Sequence, residues 1–221
     1  MKSSLELDGL AARRQTMVAV QLQGRGIADS RVLGAMGRVP RHEFVAPEYQ
    51  PDAYGDHPLP IAEGQTISQP YIVALTLQAL ALAPQDRVLE VGTGSGYEAA
   101  LLAELAAHVF TVERHPALFE RARGALQRLG YTNITSVLGD GSQGLAASAP
   151  FDAIAVSAAA PYVPRALLEQ LAEGGRLVIP VGSPHLQELQ LVRKQGGKAA
   201  TTIIEMCRFV PLIGQQGFPS P

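Results

Sequence analysis

Two rhythms of apolar residues alternate along the chain. Val88, Leu89 and Val91, and residues 108–113, 135–138, 151–156 and 176–180, form short runs rich in Val, Ile, Leu and Phe. Such runs suit strands covered on both faces. Between them lie segments of helical spacing. In residues 116–129, Leu118, Phe119, Ala122, Ala125, Leu126 and Leu129 face inward, while Glu120, Arg121, Arg123 and Arg128 face outward and Gly130 closes the run. Residues 97–107 and 164–172 read as two more helices, the latter followed by a turn at Gly174-Gly175. This alternation predicts an α/β fold with a doubly wound, mostly parallel sheet. Residues 186–193 and 201–210 alternate apolar and polar positions and are joined by Gln195-Gly196-Gly197-Lys198. That is a hairpin signal, so the sheet is expected to end in antiparallel strands.

The first third of the chain reads differently. Residues 10–23 form an expected helix with Met17, Val18 and Leu22 inward, ending at Gly24 or Gly26; Asp29 is placed to cap a second helix reaching Gly37. A stretch rich in Pro, Tyr and Gly then runs to Gly64, and a loop of that length in a compact domain is usually functional or disordered. Ser68 is positioned as the cap of a helix over residues 70–82, with Pro70 in its first turn and Pro84 as its stop. The expected division is a helical lead-in and loop over 1–69, a core over 70–214 and a loose tail over 215–221, together one compact domain.

One turn stands out. After Val91 come Gly92, Gly94 and Gly96, and then the helix beginning at Tyr97. Strand, glycine turn and helix open a nucleotide-binding βαβ unit, in which glycine lets backbone approach a ligand and the helix start offers free N–H groups. A dinucleotide fingerprint needs its third glycine where Tyr97 or Ala99 stands, so both registers fail. The spacing Gly-x-Gly-x-Gly after Glu90 resembles instead the first motif of S-adenosylmethionine-dependent methyltransferases. An acidic residue there suits a ligand that carries its own ammonium.

Composition narrows the partners. The 221 residues are 47% hydrophobic and 17% charged, with a formal net charge of -2 and no basic run, so nothing suggests a nucleic-acid partner. No apolar signal core or membrane-length run occurs. A single cysteine, Cys207, excludes an intrachain disulfide and fits a reducing cytoplasm; with five scattered histidines, no metal site is expected. Cys207 reads as a core residue, and His42 and His57 as packing or surface residues.

Two further carboxylates fall at strand ends. Glu113 closes the second core strand about twenty residues after the first glycine, where an acidic residue binds ribose hydroxyls; an exposed Glu paired with Arg114 is the plainer alternative. Asp140, between Gly139 and Gly141, suits either an adenine amino group or a tight Asp-Gly turn.

Beyond the glycine motif, Gly64-Gln-Thr-Ile-Ser-Gln-Pro, Gly139-Asp-Gly, Pro150-Phe-Asp-Ala-Ile, Ala158-Ala-Ala-Pro, Leu171-Ala-Glu-Gly-Gly-Arg-Leu-Val-Ile-Pro-Val-Gly and Arg208-Phe-Val-Pro-Leu together resemble the protein-L-isoaspartate O-methyltransferase family, over residues 15–212. The resemblance implies a Rossmann-like methyltransferase that esterifies the free α-carboxylate of L-isoaspartyl residues in damaged proteins. The ester then collapses to a succinimide and allows return to aspartate. It further implies that Gln65, Thr66, Ile67, Ser68, Glu90, Gly92, Thr93, Gly94, Ser95, Glu113, Asp140 and Gly141 contact S-adenosylmethionine, and that Ile61, Thr66, Ser68, Val210 and Pro211 contact the peptide. Ser68 matches the family's active-site serine; from the residues alone it reads equally as a helix cap. The chain departs from the family at Ala62, where glycine is common. Alanine resists positive φ, so the loop is expected to bend differently there. Action on another carboxylate or small molecule, or cofactor binding without catalysis, are the competing functions. A monomer is the favoured assembly.

Overall fold

The computed structural model of the chain describes residues 4–219, with side chains from residue 8 onward. Helix α1 (Ser4–Thr16) continues through a wide π-type turn at Met17–Leu22 into a 3₁₀ turn, Gln23–Arg25, and ends at Gly26 with φ 93°. The helix thus begins earlier than its apolar spacing suggested and breaks where expected. Asp29 caps α2 (Ser30–Arg38): its side chain accepts from the N–H groups of Arg31 and Val32. The irregular stretch that follows holds two 3₁₀ turns, Arg41–Phe44 and Pro47–Asp52, and a small hairpin of β1 (Leu59–Pro60) and β2 (Thr66–Ile67). Helix α3 (Pro70–Leu80) then leads to the main sheet.

Strands β3 (Arg87–Val91), β4 (His108–Glu113), β5 (Ile134–Leu138) and β6 (Phe151–Val156) alternate with α4 (Tyr97–Leu105) and α5 (Pro116–Arg128); α6 (Arg165–Gln170) precedes β7 (Leu171–Gly182), β8 (Gln187–Gln195) and β9 (Lys198–Cys207). The strand order is β5-β4-β3-β6-β7-β8-β9. Strands β5 to β7 pair in parallel, and β8 and β9 add antiparallel. The mostly parallel, doubly wound sheet with its C-terminal hairpin is therefore as the sequence pattern predicts. Gly196 and Gly197 make the hairpin turn with φ 58° and 71°, the left-handed pair a two-residue turn requires. The chain runs outward from β3 to β5 and returns to β6 on the other side, so the order reverses between β3 and β6. Ligands of such sheets bind at that reversal, beyond the carboxyl ends of the strands.

Strand alternation splits the core. Val88, Ala153, Ala155 and Val178 join one cluster with α2, α3 and α4; Leu89, Val91, Ile154, Val156, Leu177 and Ile179 join the other with Leu167 of α6. The first cluster runs without a break from Leu10 through Met36 to Leu191, so the lead-in packs into the same core as the sheet.

Three expectations need correction. The helix before β7 stops at Gln170, and Gly174-Gly175 lie within β7, where the pairing with β6 shifts register. Ser68 does not cap α3: the cap position is Gln69, and no side chain bonds there. Pro70 is the cause, because proline is preferred at the first helical position and fixes the cap one residue before itself. The tail is not loose up to residue 219. Gln215 N donates to Asp140 Oδ2 at 2.9 Å, Gln216 N to Ser142 Oγ at 3.0 Å, and Gln216 Oε1 accepts from Ala166 N at 3.0 Å. Residues 220 and 221 lie outside the described residues.

Candidate active site

A cavity of about 290 Å³ opens at the carboxyl ends of β3, β4 and β6. The glycine turn forms its floor. Gly92 and Gly94 have φ 92° and 54°, which leaves bare backbone facing the cavity. Gly96 serves packing instead: a Cβ there would meet Ala122 of α5 at 3.2 Å. Glu113, 4% exposed, anchors the turn from the side. Its Oε2 accepts from Gly94 N at 2.8 Å and its Oε1 from His115 N at 2.9 Å. Ser95 Oγ accepts from Tyr97 N, and the Thr93 hydroxyl meets that of Thr111.

Two more carboxylates lie at the deep end. Glu90 is fully buried; the Thr111 hydroxyl donates to its Oε2 and its Oε1 has no partner. Glu98, in the first turn of α4, accepts from Ser157 Oγ at 2.7 Å and leaves its Oε1 unpartnered. Burial, and then the neighbouring Glu98, push the Glu90 carboxyl well above the ordinary carboxylate range. Burial raises Glu98 from 4.5 to about 7. The sign of the stability effect follows. Below 4.5 Glu98 is protonated both folded and unfolded; from 4.5 to about 7 only the unfolded chain releases the proton, so stability falls as pH rises through that window. We expect the ligand-free melting temperature to fall less across that window in Glu98→Gln than in the wild type. Equal slopes would show that Glu98 ionises freely.

The small hairpin covers the front. Gln65, Thr66, Ile67 and Ser68 line the cavity on one side, Val210 and Pro211 on the other. Thr66, Ser68, Ser157, Val210 and Pro211 also line a second, more open groove of about 710 Å³ that continues outward past Pro58, His185, Cys207 and Arg208. The Ser68 hydroxyl makes no hydrogen bond among the described residues, while its carbonyl accepts from Arg41 Nη2 at 2.7 Å. Cys207, expected in the core, is half-buried on this groove, where burial pushes its thiol up to about 11.

Most of the predicted site residues thus come together. Two do not. Ile61 does not line the cavity, although its Cδ1 would lie 3.7 Å from a Cβ on Gly94. Asp140 sits beside Gly141, which does line it, but the Asp140 carboxylate is taken up elsewhere. It accepts from Ser142 N, Ser142 Oγ, Gln143 Nε2 and Gln215 N, and these donors hold it below the usual carboxylate range despite partial burial. Contact with an adenine would require one of these bonds to yield. Glu98 and Ser157 also line the cavity, and sequence reasoning missed both. The Ala62 departure also resolves: the left-handed residues of the hairpin turn are Glu63 (φ 59°) and Gly64 (φ 65°), so Ala62 is spared. Among the described residues there is no group of three or more His, Cys, Asp or Glu able to hold a metal, and no helix long and apolar enough to cross a membrane.

A glycine turn held by a strand-end glutamate, at the switch point of this sheet, defines an S-adenosylmethionine-dependent methyltransferase. The chain belongs to the protein-L-isoaspartate(D-aspartate) O-methyltransferase family, whose sequence profile matches residues 12–217. It is 62% identical over 218 residues to protein-L-isoaspartate O-methyltransferase of Koribacter versatilis, covering 99% of this chain and 98% of that one. It is 53% identical to the enzyme of that name from Methanoculleus marisnigri, covering 97% of each. A solved structure named protein-L-isoaspartate O-methyltransferase superposes with a TM-score of 0.84 at 30% identity, over 92% of this chain and 67% of that one. A Plasmodium falciparum β-aspartate methyltransferase in complex with S-adenosyl-L-homocysteine superposes with a TM-score of 0.80 at 29% identity, over 90% and 98%.

The residues present fit S-adenosylmethionine. Two buried, unpartnered carboxylate oxygens, Glu90 Oε1 and Glu98 Oε1, suit its ammonium, and the bare backbone at Gly92 and Gly94 permits close approach.

Proposed function

We propose that this cleft methylates the free α-carboxylate of L-isoaspartyl residues, with Ser68 holding one carboxylate oxygen. The observation that carries this reading is the placement of Ser68. Ser68 lines both the glycine-floored cavity and the open groove, and its hydroxyl makes no hydrogen bond among the described residues. S-adenosylmethionine, when bound, supplies an electrophilic methyl group. Glu113 would hold its ribose, Glu90 and Glu98 its ammonium, and residues 92–95 and 65–67 its flanks.

The protein needs no general base. A peptide carboxylate with a pKa of roughly 3 to 4 is ionised at neutral pH. What the chain must supply is alignment and exclusion of water. Ser68 donates to one oxygen and leaves the other free to attack. Thr66, beside it on both cavities, assists. Val210 and Pro211 close the opposite side, and they are fixed by backbone bonds from Ala159 N to Val210 O (2.8 Å) and from Leu212 N to Ala159 O (2.7 Å). A monomer is the working unit of this scheme. The free thiol of Cys207 fits a cytoplasmic protein, and the net charge of -2 suits protein rather than nucleic-acid substrates.

The test is methyl transfer to an L-isoaspartyl peptide by the wild type and Ser68→Ala. A hydrogen bond to a charged group is worth about 1.5–3 kcal/mol, so kcat should fall at least about tenfold. Affinity for S-adenosylhomocysteine and the melting temperature should hold, because Ser68 caps no helix. No turnover of the peptide by the wild type overturns the reading. Unchanged kcat in the variant removes Ser68 from it.

A further inference from the structure

Arg41 is the largest of the fully buried side chains and has no role in the scheme above. No carboxylate pairs with it among the described residues; Asp56, whose charge acts on it weakly, is itself bonded to Arg25 at 2.5 Å. Its donors go to main chain. Nε donates to Ala53 O at 2.8 Å and Nη2 to Ser68 O at 2.7 Å, while Nη1 has no partner. The guanidinium lies over the Tyr97 ring, 4.9 Å from its centroid, and Tyr97 in turn packs edge-on against Phe44. Burial lowers the Arg41 pKa to about 10, so it stays charged at neutral pH.

A buried cation without a counter-ion is a poor stabilising device, and apolar residues of similar volume often serve a core better. What this one provides is a link between two parts of the site. Ser68 sits between β2 and α3, where no side chain caps the helix start. Tyr97 is the first residue of α4 and lines the glycine-floored cavity. The fork of Arg41 therefore ties the main chain of the substrate-side serine to the helix that follows the glycine turn.

We propose that Arg41 is a positioning residue: by bonding the Ser68 carbonyl while its guanidinium lies over the Tyr97 ring, it sets where the Ser68 hydroxyl stands relative to the cofactor cavity. The proposal rests on the reading of Ser68 as the group that holds the substrate carboxylate.

The experiment is a double-mutant cycle of Arg41→Met and Ser68→Ala, read as kcat and KM on an L-isoaspartyl peptide, with S-adenosylhomocysteine affinity by calorimetry and melting temperature on each protein. Methionine fills the space without burying a charge. The expected result is a kcat at least about tenfold down in Arg41→Met, set by the hydrogen bond it gives to a positioned group. S-adenosylhomocysteine affinity and melting should change little, and no further loss of kcat should occur when Ser68→Ala is already present. Arg41→Lys, which keeps the charge but not the fork, should fall between; it carries the cycle if the methionine variant does not fold. Multiplying losses in the double variant, with Ser68→Ala impaired on its own, would overturn the role of Arg41 and leave that of Ser68 standing. A Ser68→Ala protein with wild-type kcat would sink both.

Discussion

Glu113→Ala loses about a hundredfold in affinity for S-adenosylhomocysteine. Two contributions add. In the proposed scheme the carboxylate offers an anionic acceptor to ribose hydroxyls, and charge-assisted bonds are worth about 1.5–3 kcal/mol each. The same two oxygens also hold Gly94 N at 2.8 Å and His115 N at 2.9 Å, so the variant leaves two amides of the site unpaired and loosens the turn that carries the floor. Glu113→Gln keeps the shape and one acceptor but not the charge, and should fall between. Calorimetric titration decides: an affinity within twofold of the wild type would show that Glu113 touches no ligand. A lower melting temperature in both variants, with affinity unchanged in the glutamine one, would say the same.

The parts of this site that were legible in sequence are those fixed by a local pattern. Parallel strands read as unbroken apolar runs, so their carboxyl ends could be placed to within a residue, and Glu90, Gly92 and Glu113 with them. Glu98 escaped because a polar residue in the first turn of a helix is ordinarily solvated. The available signal was its company: Tyr97, Ala99, Ala100, Leu101 and Leu102 are apolar, and all are buried, so a charge among them needed an interior reason. Ser157 was marked only by following β6. The tail was misread, and the partners of Asp140 were missed, for a different reason. The Asp-Gly turn is local, but the bonds from Gln215 and Gln216 join positions some seventy residues apart, and nothing in the tail's composition announces them. A Cβ at Gly214 would stand 2.0 Å from Asp140 Oδ1, so the glycine just before the tail is what lets it dock. Ser68 shows the reverse case. Its candidate role as a cap was undone by Pro70 two residues on, which leaves the hydroxyl available for the proposed substrate role.

The strongest consequence is a choice between two peptides of identical composition. An L-isoaspartyl residue carries its free carboxylate on the α-carbon, with the main chain continuing through the side-chain carbonyl. A normal aspartyl residue carries it one methylene further out. The two walls that would grip the flanking chain cannot shift to follow that methylene. One is the segment from Val210 to Leu212, bonded through its backbone to Ala159 beside β6. The other is Thr66 to Ser68, fixed at one end by pairing of β1 with β2 and at the other by Arg41. With peptide held on both sides, the aspartyl oxygen lies out of line, and a misplacement of about 1 Å costs on the order of a hundredfold in rate. The expected measurement is methyl transfer to the L-isoaspartyl peptide with kcat/KM at least about a hundredfold above that for its L-aspartyl twin. The difference should fall mainly in kcat, because both peptides offer the walls the same flanking backbone. Equal rates would mean that the walls do not position the chain. Turnover of a small carboxylic acid with neither peptide accepted would mean that the groove past Ser68 is not a peptide site at all.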